Sequence, residues 1–160
     1  MIRHVLMTCT GNTCRSPLAE ALMRSELARH GADGTAVSSA GTGAWDGAPA
    51  SEGALLVGLE HDVDLSSHRA RLLNRDLVSE ADIIFTMSRH QRARVEELGG
   101  AGKVHVLGEY AGSSGPAAEV ADPWGADLAV YRATFSQLEG FVRIAAQRLV
   151  GQPGEQDQRD

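Results

Sequence analysis

His4-Val5-Leu6-Met7-Thr8-Cys9-Thr10-Gly11-Asn12-Thr13-Cys14-Arg15-Ser16-Pro17 is the stretch that decides the fold. Residues 4–9 are a short, mainly apolar run, the pattern of a strand buried on both faces. Ser16 is a good N-cap and Pro17 suits the first helical position. Leu18, Ala21, Leu22 and Ser25 then recur at helical spacing. The residues between form a strand-to-helix loop. Gly11 and Asn12 tolerate left-handed backbone, which lets successive N–H groups turn inward as an anion nest. The positive end of the helix dipole adds to it. Arg15 is suited to grip two phosphate oxygens in a planar fork.

Cys9 stands in the centre of that field. Helix N-termini and nearby cations stabilise a thiolate, so Cys9 is expected to be ionised at neutral pH. The Ser16 hydroxyl is near enough in sequence to donate to it. A lone Cys is usually a small buried hydrophobe, but that leaves Gly11, Asn12, Arg15 and Ser16 without a purpose. The chemistry expected is thiolate attack on a phosphoryl group. No G-x-x-x-x-G-K-[ST] occurs, so this is not a nucleotide-triphosphate loop. The atom leaving phosphorus needs a proton, and general acids contribute about 10²–10⁴-fold. The candidate is Asp122 in Asp122-Pro123-Trp124-Gly125. Pro123 forces Asp122 into extended backbone, and Trp124 offers an apolar wall. An isolated Asp-Pro would be an ordinary turn; the partnership with the Cys9 loop gives it a role.

Outward from these motifs the chain alternates strand and helix. Strands are expected at 35–40, 82–87 and 103–107. Helices are expected at 50–59 (with Ala54, Leu55 and Leu59 as apolar contacts), 88–98 and 127–150. Ser88 caps the second of these and Gly99-Gly100 ends it. Tyr131, Phe135, Leu138, Val142, Ala145 and Leu149 give the last a sheet-facing stripe. The alternation implies an α/β fold: three layers, with a four-stranded parallel sheet between helices and the phosphate-binding loop after the first strand. Ligands of such sheets bind at the carboxyl ends of the strands, where Cys9 sits. Gly112 to Pro116 reads as a loop. Residues 1–150 are expected to be one domain and 151–160, polar and containing Pro153, a disordered tail.

With 160 residues, 15 basic against 21 acidic and a net charge of −6, no general nucleic-acid affinity is expected. No apolar run approaches about 18 residues and no signal-peptide pattern precedes the first strand, so no membrane partner is expected. Two cysteines, one of them reactive, suit a reducing cytoplasm. The six histidines are scattered without zinc-type spacing, and Asp62 with Asp64 lacks the rest of a calcium loop. No metal is expected. Arg89, Arg92 and Arg94 form a basic helix face offset by Glu96 and Glu97, expected to be solvated.

Cys-x-x-Gly-Asn-x-Cys-Arg-Ser-Pro-x-Ala-Glu over Cys9–Glu20, Asp122-Pro123-Trp124 late in the chain and Ser39-Ala40-Gly41-Thr42-Gly43 together resemble the low-molecular-weight protein tyrosine phosphatase family. The likeness covers about residues 2–150. It implies a phosphocysteine intermediate on Cys9, phosphate binding by Arg15, Asp122 as acid and then base, and no cofactor. Thr10, Gly11, Asn12, Thr13, Cys14 and Ser16 would surround the phosphate. Phosphorylated proteins are the implied substrates and inorganic phosphate the product.

Within the family, tyrosine phosphatases usually carry a bulky aliphatic residue where this chain has Thr13. Cys9-Thr10-Gly11-Asn12-Thr13-Cys14-Arg15-Ser16 resembles the protein-arginine phosphatase branch, as does the stretch from Asp122 to Tyr131. A threonine hydroxyl accepts a hydrogen bond from a guanidinium N–H, where an aliphatic side chain would pack on a phenyl ring. Against this, Thr42-Gly43-Ala44-Trp45 resembles the rim of tyrosine-directed members, and Trp124 stacks equally on a phenyl ring or a guanidinium. Phosphoarginine is the favoured substrate and phosphotyrosine the alternative. Arsenate reductases of similar architecture need further cysteines downstream, and none follows Cys14. A phosphate sensor without turnover would need neither Cys9 nor Asp122. Cys14, five residues from Cys9, is either a packed small residue or a thiol that traps oxidised Cys9 as a reversible disulfide.

Overall fold

The computed structural model describes residues 2–151. His4–Cys9 forms β1, as its apolar run requires. Helix α1 (Arg15–Arg29), strand β2 (Ala36–Gly41), helix α2 (Glu52–Glu60), helix α3 (Arg75–Glu80) and strand β3 (Ile83–Thr86) follow. Then come helix α4 (Arg89–Val95), strand β4 (Val104–Val106), a short helix α5 (Leu107–Tyr110) and the long helix α6 (Leu128–Gly151). The four strands form one sheet in the order β2-β1-β3-β4, all parallel, with Cys9 paired to Gly41 at its upper end. This is the expected α/β architecture. Residues 152–160, the expected tail, lie outside the described residues. Among the described residues no helix is long and apolar enough to cross a membrane.

Alternate residues of β1 feed opposite layers. Val5, Met7 and Cys9 join Leu18, Phe135 and Leu138 beneath α1, α2 and α6. Leu6 joins Ile84, Val78 and Val95 beneath α3 and α4. The stripe of α6 is buried at Tyr131, Phe135, Leu138, Val142 and Ala145, and Leu149 packs at its margin.

Several expectations need correction. Ser16 is not the N-cap of α1. Cys14 occupies that position without a side-chain cap, because the Ser16 hydroxyl is engaged by Cys9 and Asn12. Ser25 is exposed; Ala19, Met23 and Leu27 complete the buried face of α1. On α2, Leu59 faces solvent, and Ser51 rather than Ala50 starts the helix by accepting from the Ala54 amide. Ser88 does cap α4, in a reciprocal box with Gln91. The turn after it is a wide-helix segment, Glu96–Gly100, closed by Gly99 at φ 100°. Gly115–Ala118 is a 3₁₀ turn rather than open loop. The arginine face of α4 is offset by more than its neighbours: Arg89 pairs with Glu109 at 2.8 Å and Glu119 at 3.4 Å, and Arg92 with Glu109 at 3.0 Å.

Candidate active site

The loop between β1 and α1 is held from behind by one side chain. Asn12 is fully buried and adopts φ 55°; Gly11 does not use the left-handed region, so the turn rests on Asn12 alone. Asn12 Nδ2 donates to Ser16 Oγ (2.8 Å) and Ser39 Oγ (3.0 Å). Its Oδ1 accepts from the Arg71 amide (2.9 Å). Its carbonyl accepts from His68 Nε2 (2.7 Å), which fixes that imidazole nitrogen as the protonated one. From the other side, Gln91 Nε2 donates to Thr10 Oγ1 (3.1 Å). Gly41 passes directly beneath: a Cβ there would lie 2.4 Å from the Thr10 carbonyl oxygen and 2.9 Å from the Asn12 nitrogen.

That scaffold sets the hydrogens around Cys9 Sγ. The Asn12 amide donates to the sulfur at 3.3 Å. Ser16 Oγ lies 2.9 Å from it. Ser16 Oγ accepts from Asn12 Nδ2 and has its own hydrogen left to donate to the sulfur. The amides of Gly11, Thr13 and Cys14 have no backbone acceptor among the described residues, as a nest awaiting an anion should.

Arg15 is 5% exposed. Its Nη1 donates to the Val120 carbonyl (2.8 Å), and its Nη2 lies 3.7 Å from Asp122 Oδ2. Its Nε is buried with no partner. A guanidinium left this incompletely paired favours an incoming anion. Asp122 is half exposed, and its Oδ1 accepts from the Trp124 amide at 3.1 Å, the local turn that Pro123 supports.

These groups line a cleft of about 360 Å³. Cys9, Thr10, Gly11, Thr13, Cys14 and Arg15 form its floor, and Trp45, Asp122 and Trp124 its walls. Of the residues expected around the phosphate, Asn12 and Ser16 do not line it; they stand behind the loop. Trp45 and Trp124 are 83% and 71% exposed, open for contact at the mouth. Cys14 Sγ sits 3.1 Å from Ser51 Oγ and 3.4 Å from the Tyr131 hydroxyl. Burial and the Cys14 thiol push Tyr131 up to about 12, so it remains a neutral partner. Both cysteines are free thiols. Sequence reasoning missed His68, Arg71 and Gln91 as supports of the loop, since each arrives from an element remote in sequence. Among the described residues no three His, Cys, Asp or Glu side chains gather to hold a metal ion.

Fold and loop together define an α/β protein whose cysteine lies in an anion cradle at the carboxyl end of a parallel sheet. The family model for low molecular weight phosphotyrosine protein phosphatase matches residues 4–153, and the chain belongs to that family. It is 37% identical over 151 residues to the "Probable low molecular weight protein-tyrosine-phosphatase EpsP" of Ralstonia nicotianae, covering 93% of this chain and 97% of that one. It is 34% identical over 147 residues to the protein-arginine-phosphatase of Bacillus subtilis, covering 91% and 95%. A solved structure of the YwlE arginine phosphatase, with a phosphorylated active-site serine, superposes with a TM-score of 0.84 at 34% identity, covering 91% of this chain and 95% of that one. The coarse activity follows from the family: this is a cysteine-dependent protein phosphatase.

Proposed function

We propose that the protein hydrolyses phosphoarginine in proteins through a phosphocysteine on Cys9. The observation that carries the chemistry is the Cys9 sulfur under the Asn12 amide and the Ser16 hydroxyl, with the unpaired Arg15 Nε buried in the same site. The thiolate attacks phosphorus, and the S–P bond forms as the P–N bond breaks. Arg15 and the loop amides hold the oxygens as charge develops on them. The departing guanidine nitrogen takes its electron pair and a proton from Asp122. Asp122 then accepts a proton from water as that water attacks phosphorus. The S–P bond breaks, the thiolate returns to its two donors, and inorganic phosphate leaves. A mechanism that needs Cys9 as a free thiolate suits the reducing cytoplasm, and both cysteines are unbridged.

Two observations support phosphoarginine. Thr13 lines the cleft with a hydroxyl at the place where an aliphatic side chain would grip a phenyl ring. Asp122, half exposed, can pair with a substrate guanidinium as well as protonate it. One observation favours phosphotyrosine: two exposed indoles flank the mouth. The test compares kcat/KM on matched phosphoarginine and phosphotyrosine peptides for wild type and Thr13→Ile. Wild type should prefer phosphoarginine, and Thr13→Ile should move the ratio toward phosphotyrosine by about tenfold, the worth of one lost hydrogen bond. A wild type that prefers phosphotyrosine overturns the assignment. Cys9→Ser should lose turnover of both.

A further inference from the structure

Trp124 separates two hollows. On one side is the cleft above Cys9; on the other is a second hollow of about 370 Å³. Leu56 of α2 and Leu128 at the start of α6 form its walls, and the Tyr131 ring its floor. That floor is fitted closely: a Cβ on Gly53 would lie 2.4 Å from the Tyr131 ring. A two-pronged ion pair joins the same two helices, Arg132 to Glu60 at 2.7 and 3.0 Å. The polar groups at the edge are already engaged. Ser51 Oγ receives the Ala54 amide and meets the Tyr131 hydroxyl. Among the described residues Glu52 is the one charged side chain in the lining, and it would repel an acidic group.

Leu56 at 45% and Trp124 at 71% exposure are large apolar surfaces left in water, and Trp124 is common to this hollow and to the cleft above Cys9. We propose that this hollow is a subsite for an aliphatic side chain of the substrate protein. It gives the enzyme a preference for a leucine-sized residue close to the phosphorylated one. An extended chain advances about 3.3 Å per residue with side chains on alternate sides, so one that straddles the indole places a residue about two positions away in the hollow. The inference rests on the proposed hydrolysis of phosphoproteins at Cys9, and it adds that recognition extends beyond the phosphorylated residue.

The experiment uses a phosphopeptide series with Leu, Ala, Ser or Asp at each of the two positions on either side of the phosphorylated residue. p-Nitrophenyl phosphate, which is too small to reach the hollow, is measured in parallel. Burying an aliphatic side chain there predicts a kcat/KM advantage of roughly tenfold for Leu over Ser at one position. Leu56→Lys should abolish that advantage, its ammonium filling the wall and pairing with Glu52 one turn earlier, while p-nitrophenyl phosphate is turned over at the wild-type rate. Loss of the Leu advantage with p-nitrophenyl phosphate turnover retained is an outcome that a misfolded variant does not give. Equal rates across the series, or a Leu56→Lys variant that slows both kinds of substrate alike, overturn the proposal. If wild type does not turn over p-nitrophenyl phosphate, the hydrolytic assignment fails by itself. Binding of the same peptides to wild type then decides the subsite: tighter binding of the Leu peptides upholds it, equal binding overturns it.

Discussion

Replacing Asn12 tests whether one buried amide builds the catalytic loop. In Asn12→Ala three hydrogen bonds are lost, to Ser16 Oγ, Ser39 Oγ and the Arg71 amide. Each is worth about 1 kcal/mol net. Alanine must also hold the left-handed backbone of φ 55°, which costs roughly 1–2 kcal/mol more. The expected loss is about 4–5 kcal/mol. That is a large share of the roughly 5–15 kcal/mol typical of a domain, and less than all of it for most. Asn12→Gly loses the same bonds without the steric cost. After its greater backbone entropy is counted it should be roughly 0.5–1 kcal/mol more stable than the alanine variant. Urea unfolding followed by circular dichroism gives both values. Activity should fall with stability in both variants, because the Ser16 hydroxyl, 2.9 Å from the Cys9 sulfur, loses the Asn12 hydrogen bond that positions it. An alanine variant within about 1 kcal/mol of wild type, or one at least as stable as the glycine variant, refutes the role assigned to the Asn12 side chain.

Asp122→Ala should slow hydrolysis most for substrates with poor leaving groups, by about 10²–10⁴-fold, and least for p-nitrophenyl phosphate. Equal slowing across a series of aryl phosphates would count against proton donation by Asp122. Asp82 gives a pH prediction far from the site. Its Oδ2 accepts from the Arg3 and His4 amides, at 2.8 and 2.9 Å, and the Arg3 amide above all holds its carboxyl below the usual range. A carboxyl lowered on folding stabilises above its unfolded value of about 3.9, and that contribution fades as pH falls through the lower folded value. Wild type should therefore exceed Asp82→Asn in urea midpoint at about pH 6, and the gap should narrow as pH falls below about 3.9. A gap that does not change with pH would show that ionised Asp82 contributes nothing.

The parts of this fold legible in the sequence are those written in contiguous residues. β1 could be read to its ends because all six of its residues face the interior or the next strand. The stripe of α6 could be read because 24 residues repeat the same spacing. Helix α3, only six residues long and started by Asn74 accepting from the Leu77 amide, carries too little periodicity to stand out. Ser16 misled because a hydroxyl that suits an N-cap suits a thiolate equally well, and the buried Asn12 amide decides between them. The cleft floor lay within one motif and was legible for that reason. His68, Arg71 and Gln91 were not, since each acts on the loop across 56 to 81 residues of chain.

Arg15 shows why those two distant stretches must meet. A guanidinium carries five N–H donors, and here they point to different ends of the chain. Nη1 fixes the Val120 carbonyl, two residues before Asp122. Nη2 stands 3.7 Å from the Asp122 carboxylate, too far for a hydrogen bond but near enough to attract it. Nε remains unpaired in the buried site. One cation thus ties down the stretch of chain that carries Asp122 and keeps one donor unpaired. A lysine at this position would gather its donors on a single nitrogen and lack the planar fork that spreads them between the carbonyl and the carboxylate. The spacing of Cys9 to Arg15 therefore sets where the Val120–Asp122 stretch lies relative to the loop that carries the sulfur. In the proposed mechanism Cys9 and Asp122 reach the same phosphorus from opposite ends of the sequence because Arg15, in the same loop as Cys9, ties that stretch to it.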